Sequence, residues 1–266
     1  SNITTGELVE VLSATKTAVQ TEYQQDDTLT YVVNILNSGN TTMTGVTISD
    51  NLGAYTLNTL TLVPMDYVVG TVRYYVGGVL QPTPTVTAGP PLTISGLSVP
   101  AKGNVTVIYQ AKTNDYAPLA QESSITNTAT INANNIANPI TASATVNAYS
   151  KPVLRISKSL TPTTVSENGQ LTYTFIIQNY GNTAADEADA LIVSDRFDPI
   201  LNPITVAFNG TAWTEGTEYT YDATTGQFVS TAGIITVPAA SYTQDAATGA
   251  ISIVPGSATL TITGTV

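Results

Sequence analysis

The sequence predicts an all-β chain of two tandem antiparallel β-sandwich domains, the second lacking its C-terminal strand or strands. Three observations carry this. Apolar and polar residues alternate over short runs, Gly, Asn and Pro punctuate those runs, and the whole pattern occurs twice. A period of two places one set of side chains on one face of a strand, which is how a half-buried sheet reads. Thr, Val, Ile, Ala and Asn fill most of the chain, which is strand and turn chemistry, and no amphipathic helix pattern stands out.

Residues 1–10 read as an N-terminal arm. The first domain, 11–149, opens with Leu12, Ala14, Lys16 and Ala18 on one face. Leu29, Tyr31, Val33 and Ile35 form the next stripe, followed by the turn Asn37-Ser38-Gly39-Asn40-Thr41. Val46, Ile48, Asp50 and Leu52 come next, then Val105, Val107, Tyr109 and Ala111, and last Ile125, Asn127, Ala129 and Ile131. Residues 148–152 read as a linker, with Pro152 marking the start of the second unit, and the second domain spans 150–266. There Leu154, Ile156, Lys158 and Leu160 repeat the opening stripe. Leu171, Tyr173, Phe175 and Ile177 repeat the second, and Asn179-Tyr180-Gly181-Asn182-Thr183 repeats the turn, all at an offset of 142. Leu191, Val193, Asp195 and Phe197 follow at an offset of 145, after an insertion in the acidic stretch Asp186-Glu187-Ala188-Asp189. Val99-Pro100 pairs with Val254-Pro255 at 155, which sets Val266 opposite Ala111. The second domain then has no counterpart of the Asn127 strand, and its sandwich is expected to be open.

Composition narrows the chemistry. A length of 266 residues suffices for two domains with cores of their own. The net charge of −11 argues against nucleic acid and anionic membrane surfaces. No apolar run is long enough to span a membrane, and no signal peptide is visible at the N-terminus. Without Cys there are no disulfides or thiolate metal sites, and without His the usual general base and zinc ligand are missing. The chain reads as a non-enzyme with no cofactor.

Polar residues on apolar stripes are the main chemical signal. The chain has five Lys, and two of them, Lys16 and Lys158, sit at equivalent inward positions. Asp50 and Asp195 occupy inward positions too, and Asn127 joins them in the first domain. A charged group facing a core is costly unless it is neutral or paired. One reading is a buried Lys–Asp ion pair with the Asn hydrogen-bonded beside it. The other is an intramolecular isopeptide bond. Burial favours a neutral, nucleophilic Lys16 amine, and Asp50 held as the acid polarises the Asn127 carbonyl and shuttles protons. Asp195 would do the same beside Lys158, with the Asn coming from elsewhere.

The ordered pattern resembles the DUF11-type surface repeats of Gram-positive bacteria and some archaea. It comprises Lys16, Leu29-Thr30-Tyr31, Asn37 to Thr41, Asp50 and Ile125 to Ala129. The second unit matches through Lys158, Asp195, Phe208-Asn209-Gly210 and Tyr219-Thr220-Tyr221-Asp222. The resemblance implies an immunoglobulin-like fold related to isopeptide-forming adhesin domains, found in cell-surface stalks, adhesins and fibres. It places the chain outside the cell or on the surface of a Gram-positive-type bacterium, spore or appendage included.

The open second domain adds two readings: a truncated chain or a shorter sheet, or donor-strand complementation by a neighbouring subunit. The latter gives a head-to-tail homo-polymer, with Lys158 as acceptor of an intermolecular isopeptide bond. An adhesin module that binds carbohydrate or host protein is the alternative function. Weaker signals are a calcium site at Asp186, Glu187 and Asp189, against a solvated acidic turn. Trp213, Tyr219 and Tyr221 could make a sugar platform, against an ordinary strand. Sequons occur at Asn2, Asn40, Asn104 and Asn209 and are assigned no role.

Overall fold

The structure is a computed structural model describing Val9 and residues 11–266. The rest of the N-terminal arm, with Asn2-Ile3-Thr4-Thr5 and its sequon, lies outside the described residues. The chain forms two compact units. One runs to Tyr149 and takes in Gln244–Ile251; the other comprises Ser150–Thr243 and Ser252–Val266. The sequence boundary assigns Gln244–Ile251 to the 150–266 domain, whereas in the structure this segment groups with the first unit. Regular structure among the described residues is all strand, apart from one 3-10 turn at Glu187–Asp189.

The first unit is a sandwich of two sheets. One orders Leu12–Ala18, Thr28–Asn37, Asn104–Thr113, Arg73–Val76 and Val79–Leu80, with Met65–Tyr67 also on Asn104–Thr113. The other orders Thr85–Thr87, Leu92–Val99, Met43–Asp50, Ser124–Asn132, Ile140–Ala148 and Glu22–Tyr23. The predicted stripes are the inner faces. Leu29, Tyr31, Val33, Ile35, Val105, Val107, Tyr109 and Ala111 are all buried, and Val46, Ile48, Ile125 and Ala129 meet them from the opposite sheet. Removing these apolar faces from water is the main driving force for joining the sheets.

The second unit repeats one sheet and shortens the other. Leu154–Thr161, Gln170–Asn179, Gly256–Thr265, Ile204–Phe208 and Thr211–Trp213 form a five-stranded sheet. Facing it are three strands, Ser194–Arg196, Gln227–Ser230 and Tyr219–Asp222. Leu171, Tyr173, Phe175 and Ile177 pack with Phe197, Phe228, Leu260 and Ile262 in its core. Strand register corrects the alignment of the two units. Ala111 pairs with Leu29, and Gly264 with Leu171, so Ala111 corresponds to Gly264 and not to Val266. The slip of two arises because four residues, Pro100 to Gly103, separate Val99 from Asn104 in the first unit, and only two, Pro255 and Gly256, separate Val254 from the matching Ser257 in the second.

The repeated Asn-x-Gly-Asn-Thr turn folds the same way in both units. Asn37 is fully buried; its Nδ2 donates to Thr41 O at 2.7 Å and Val99 O at 3.2 Å, and its Oδ1 accepts from Gly39 N at 3.0 Å. Asn179 donates to Thr183 O at 2.7 Å and accepts from Gly181 N and Val153 N at 2.9 Å. The asparagine side chain thus supplies the partners that the turn's backbone lacks. The glycine is dictated by space. A Cβ on Gly39 would lie 2.1 Å from Val9 O, and one on Gly181 would lie 2.1 Å from Lys151 O. Replacing Asn37 or Asn179 by Ala orphans buried backbone groups, so each is expected to lower unfolding stability by about 2–3 kcal/mol. Urea unfolding followed by tyrosine fluorescence checks this, with the midpoint falling and the slope unchanged.

Candidate functional site

In the first unit four strands aim polar side chains at one point. Lys16 lies on the edge strand Leu12–Ala18, opposite Val33, at a position whose side chain enters the sandwich. Asp50 ends Met43–Asp50 in the other sheet and pairs with Ala129 of the adjacent strand. Asn127 is two residues before Ala129, and the two-residue period returns it to the same inner face. Tyr109 joins from Asn104–Thr113, opposite Tyr31. All four are buried, and the side chains of Lys16 and Asp50 have no exposure at all.

Asp50 is the hub of the cluster. Its Oδ2 accepts from Lys16 Nζ at 2.5 Å and from Tyr109 Oη at 2.5 Å, and its Oδ1 accepts from Leu52 N at 3.0 Å. Asn127 Nδ2 donates to Tyr109 Oη at 3.4 Å. Asn127 Oδ1 is buried and has no hydrogen-bond partner. An unpaired carbonyl oxygen at this depth is a cost that native structures rarely carry without a use. Tyr31 and Tyr109 stack at 5.7 Å, and Lys16 Nζ sits 4.8 Å from the Tyr31 ring centre. The rings hold the lysine stem and give its ammonium a weak electrostatic partner.

Burial lowers the Lys16 ammonium from 10.5 to about 8, against the charge and hydrogen bond of Asp50, which pull it up. A neutral fraction on the order of a tenth is therefore available at pH 7, far more than for a free lysine. Burial holds Tyr109 well above its ordinary value, and the Asp50 charge adds to this; Tyr31 is raised for the same reasons. The arrangement combines an amine able to act as a nucleophile, an amide carbon carrying an unpaired oxygen, and a carboxyl touching the amine.

The second unit brings together only part of this set. Lys158 donates to Asp195 Oδ2, and Lys158 Nζ lies 4.5 Å from the Tyr173 ring centre, as Lys16 does over Tyr31. The environment differs. The Lys158 side chain is 40% exposed and that of Asp195 20%. Ser194–Arg196 pairs with Gln227–Ser230 alone, and among the described residues of this unit no strand occupies the side where Ser124–Asn132 covers Asp50 in the first. Ile156 and Ile192 are each 57% exposed along this gap. Leu154, Ile177, Leu191, Val193 and Ile235 line an apolar groove beside it.

The weaker signals resolve differently. Asp186 caps the 3-10 turn, accepting from Ala188 N at 2.9 Å, and Asp189 accepts from Asp186 N at 2.9 Å. These carboxylates are engaged in a reciprocal cap, and no group of three metal-ligating side chains occurs among the described residues. A sugar platform from Trp213, Tyr219 and Tyr221 is not formed. Trp213 stacks on Phe208, Tyr219 is buried against Phe228, and Tyr221 donates to Leu201 O beside Phe197. The residue that the sequence did not single out is Tyr109, whose place in an apolar stripe hid its hydroxyl.

No family model and no curated protein matches the chain. Solved structures similar to it include the pilus backbone RrgB of Streptococcus pneumoniae, at TM-score 0.36 and 13% identity over 92% of this chain and 55% of that one. The major pilin subunit BcpA of Bacillus cereus is similar at TM-score 0.37 and 11% identity, over 94% of this chain and 66% of that one. The collagen-binding domain from a Staphylococcus aureus adhesin is similar at TM-score 0.32 and 16% identity, over 50% of this chain and 95% of that domain.

The lowered Lys16 value predicts a pH dependence, best read in Asn127→Ala, where the amine has no amide beside it. The folded state releases the Lys16 proton near pH 8 and the unfolded state near 10.5. The unfolded state binds more protons between them, so stability rises with pH there. Tyr31 and Tyr109 reverse the slope above about pH 10, where unfolded tyrosines ionise first. The urea midpoint of Asn127→Ala is expected to rise from pH 8 towards 10. The rise should vanish when Lys16→Met is added.

Proposed function

We propose that this chain is a structural subunit of a bacterial extracellular fibre or cell-surface stalk, stiffened by an isopeptide bond between Lys16 and Asn127. The observation that carries the reading is the buried cluster in which Lys16 and Asn127 converge on Asp50 and Tyr109, with Asn127 Oδ1 unpaired. The Lys16 ammonium gives a proton to Asp50, and the free amine attacks Asn127 Cγ. The carbonyl electron pair moves to Oδ1, the new C–N bond is retained, and Nδ2 departs as ammonia. Folding supplies the proximity. The bond would close a loop of on the order of 100 residues, stabilising the unit by ~4–5 kcal/mol on the chain-entropy account used for disulfides.

The open edge of the second unit supports assembly. A strand from a neighbouring subunit, inserted beside Ser194–Arg196, would cover Ile156 and Ile192 and complete the sandwich as Ser124–Asn132 does in the first unit. An Asn on that strand would meet Lys158 and Asp195, giving an intermolecular link and a head-to-tail homo-polymer on the cell surface.

Intact mass tests the first unit directly. The natural chain is expected to be lighter than its sequence by one ammonia, and Lys16→Ala, Asp50→Ala and Asn127→Ala to show their full mass. A natural chain at full mass rejects the bond. Boiling native assemblies in SDS tests the second unit. A ladder of covalent multimers is expected, reduced to monomer by Lys158→Ala; monomer alone from the natural chain rejects the covalent polymer.

A further inference from the structure

The reaction above leaves one problem, the departure of Nδ2. An amide nitrogen leaves as ammonia only after gaining a proton, and the path from Asp50 to that nitrogen runs through Tyr109. The Tyr109 hydroxyl donates to Asp50 Oδ2 at 2.5 Å and accepts from Asn127 Nδ2 at 3.4 Å. Stacking on Tyr31 fixes the ring in this position. We propose that Tyr109 is a catalytic residue of the cross-link, its hydroxyl passing a proton from Asp50 to the departing nitrogen of Asn127. The assignment rests on the cross-linking reading of this cluster.

The chemistry sets the direction of each hydrogen bond. In the planar amide the Nδ2 lone pair is delocalised, so Nδ2 donates to Tyr109, as observed. Attack by Lys16 makes Cγ tetrahedral and Nδ2 basic, and the same contact then reverses, with Tyr109 donating. Asp50, protonated by Lys16 in the first step, gives its proton to Tyr109 Oη as Tyr109 gives its own to Nδ2. The carboxylate takes the remaining extra proton from Lys16 Nζ, the Oδ1 electron pair re-forms the carbonyl, and the C–Nδ2 bond breaks. Lysine ammonium, carboxylate and amide have become a secondary amide, a carboxylic acid and ammonia, with Tyr109 unchanged. Burial and the Asp50 charge disfavour the Tyr109 phenolate, which suits a hydroxyl that accepts one proton while giving up another.

The second unit supplies a natural contrast. Tyr109 pairs with Tyr31, and at the equivalent place opposite Tyr173 stands Ile262. The Lys158–Asp195 pair has no such hydroxyl from that strand, so ammonia loss at Lys158 must draw its proton from another donor.

Cell-free synthesis of the full chain, with intact mass followed over time in H2O and in D2O, tests the proposal. The natural chain should lose one ammonia with a solvent isotope effect. Tyr109→Phe, which retains the ring, should slow the loss about a hundredfold and change the size of the isotope effect, with a native near-ultraviolet spectrum. Difluorotyrosine in place of Tyr109 keeps the ring and the hydroxyl but makes the latter more acidic, and should shift the pH dependence of the rate. It also covers a Phe variant that fails to fold. Cross-linking at the natural rate in a folded Tyr109→Phe, or an unchanged profile with difluorotyrosine, overturns the role of Tyr109 and leaves the bond standing. A natural chain that never loses ammonia overturns the bond and the relay together.

Discussion

Two opposite charges held out of water shape the first unit. Lys16 and Asp50 come from opposite sheets, and neither side chain reaches solvent. Desolvating such a pair can cost more than its attraction returns, so the surroundings must supply further partners. Leu52 N and Tyr109 Oη supply them to Asp50, and the Tyr31 ring supplies one to Lys16. Those demands fix the register of three neighbouring strands, because a slip of one residue would turn Lys16, Asp50 or Asn127 to the outer face.

The two units show how much of this arrangement depends on cover. Both carry the lysine, the aspartate, the aromatic ring beneath the lysine and the same asparagine-braced turn. The Ser124–Asn132 strand covers Asp50 in the first unit, and the Lys16 ammonium is driven down. The second unit has no strand at the corresponding place among its described residues, and Lys158 remains substantially exposed. Burial, more than the identity of the pair, sets the two sites apart.

Much of this was legible in the sequence because strands advertise their inner face every second residue. Leu29 to Ile35 and Val105 to Ala111 read directly as buried stripes, and Lys16, Asp50 and Asn127 stood out as polar members of such stripes. Tyr109 did not, since tyrosine is at home in an apolar stripe and only pairing across sheets shows where its hydroxyl ends. The correspondence of Tyr109 with Ile262 was hidden by a turn two residues shorter, which misaligned the final strands until their register was known. Trp213, Tyr219 and Tyr221 illustrate the converse: alternation read them as one strand, whereas Trp213 ends Thr211–Trp213 in one sheet, and Tyr219 and Tyr221 lie on Tyr219–Asp222 in the other, Tyr219 alone being fully in the core.

The convergence of Lys16 and Asn127 also has a mechanical meaning. Lys16 is near the start of the first unit, and Asn127 is on the strand that precedes its last long one, Ile140–Ala148. Tension entering the unit along the first strand would, with the bond closed, pass from residue 16 straight to residue 127. The segment between them, including the Tyr31, Asp50 and Tyr109 strands, would carry no load and could not be drawn out. The unit would act as a short inextensible link, whose limit is set by a covalent bond and not by the hydrogen bonds of its sheets.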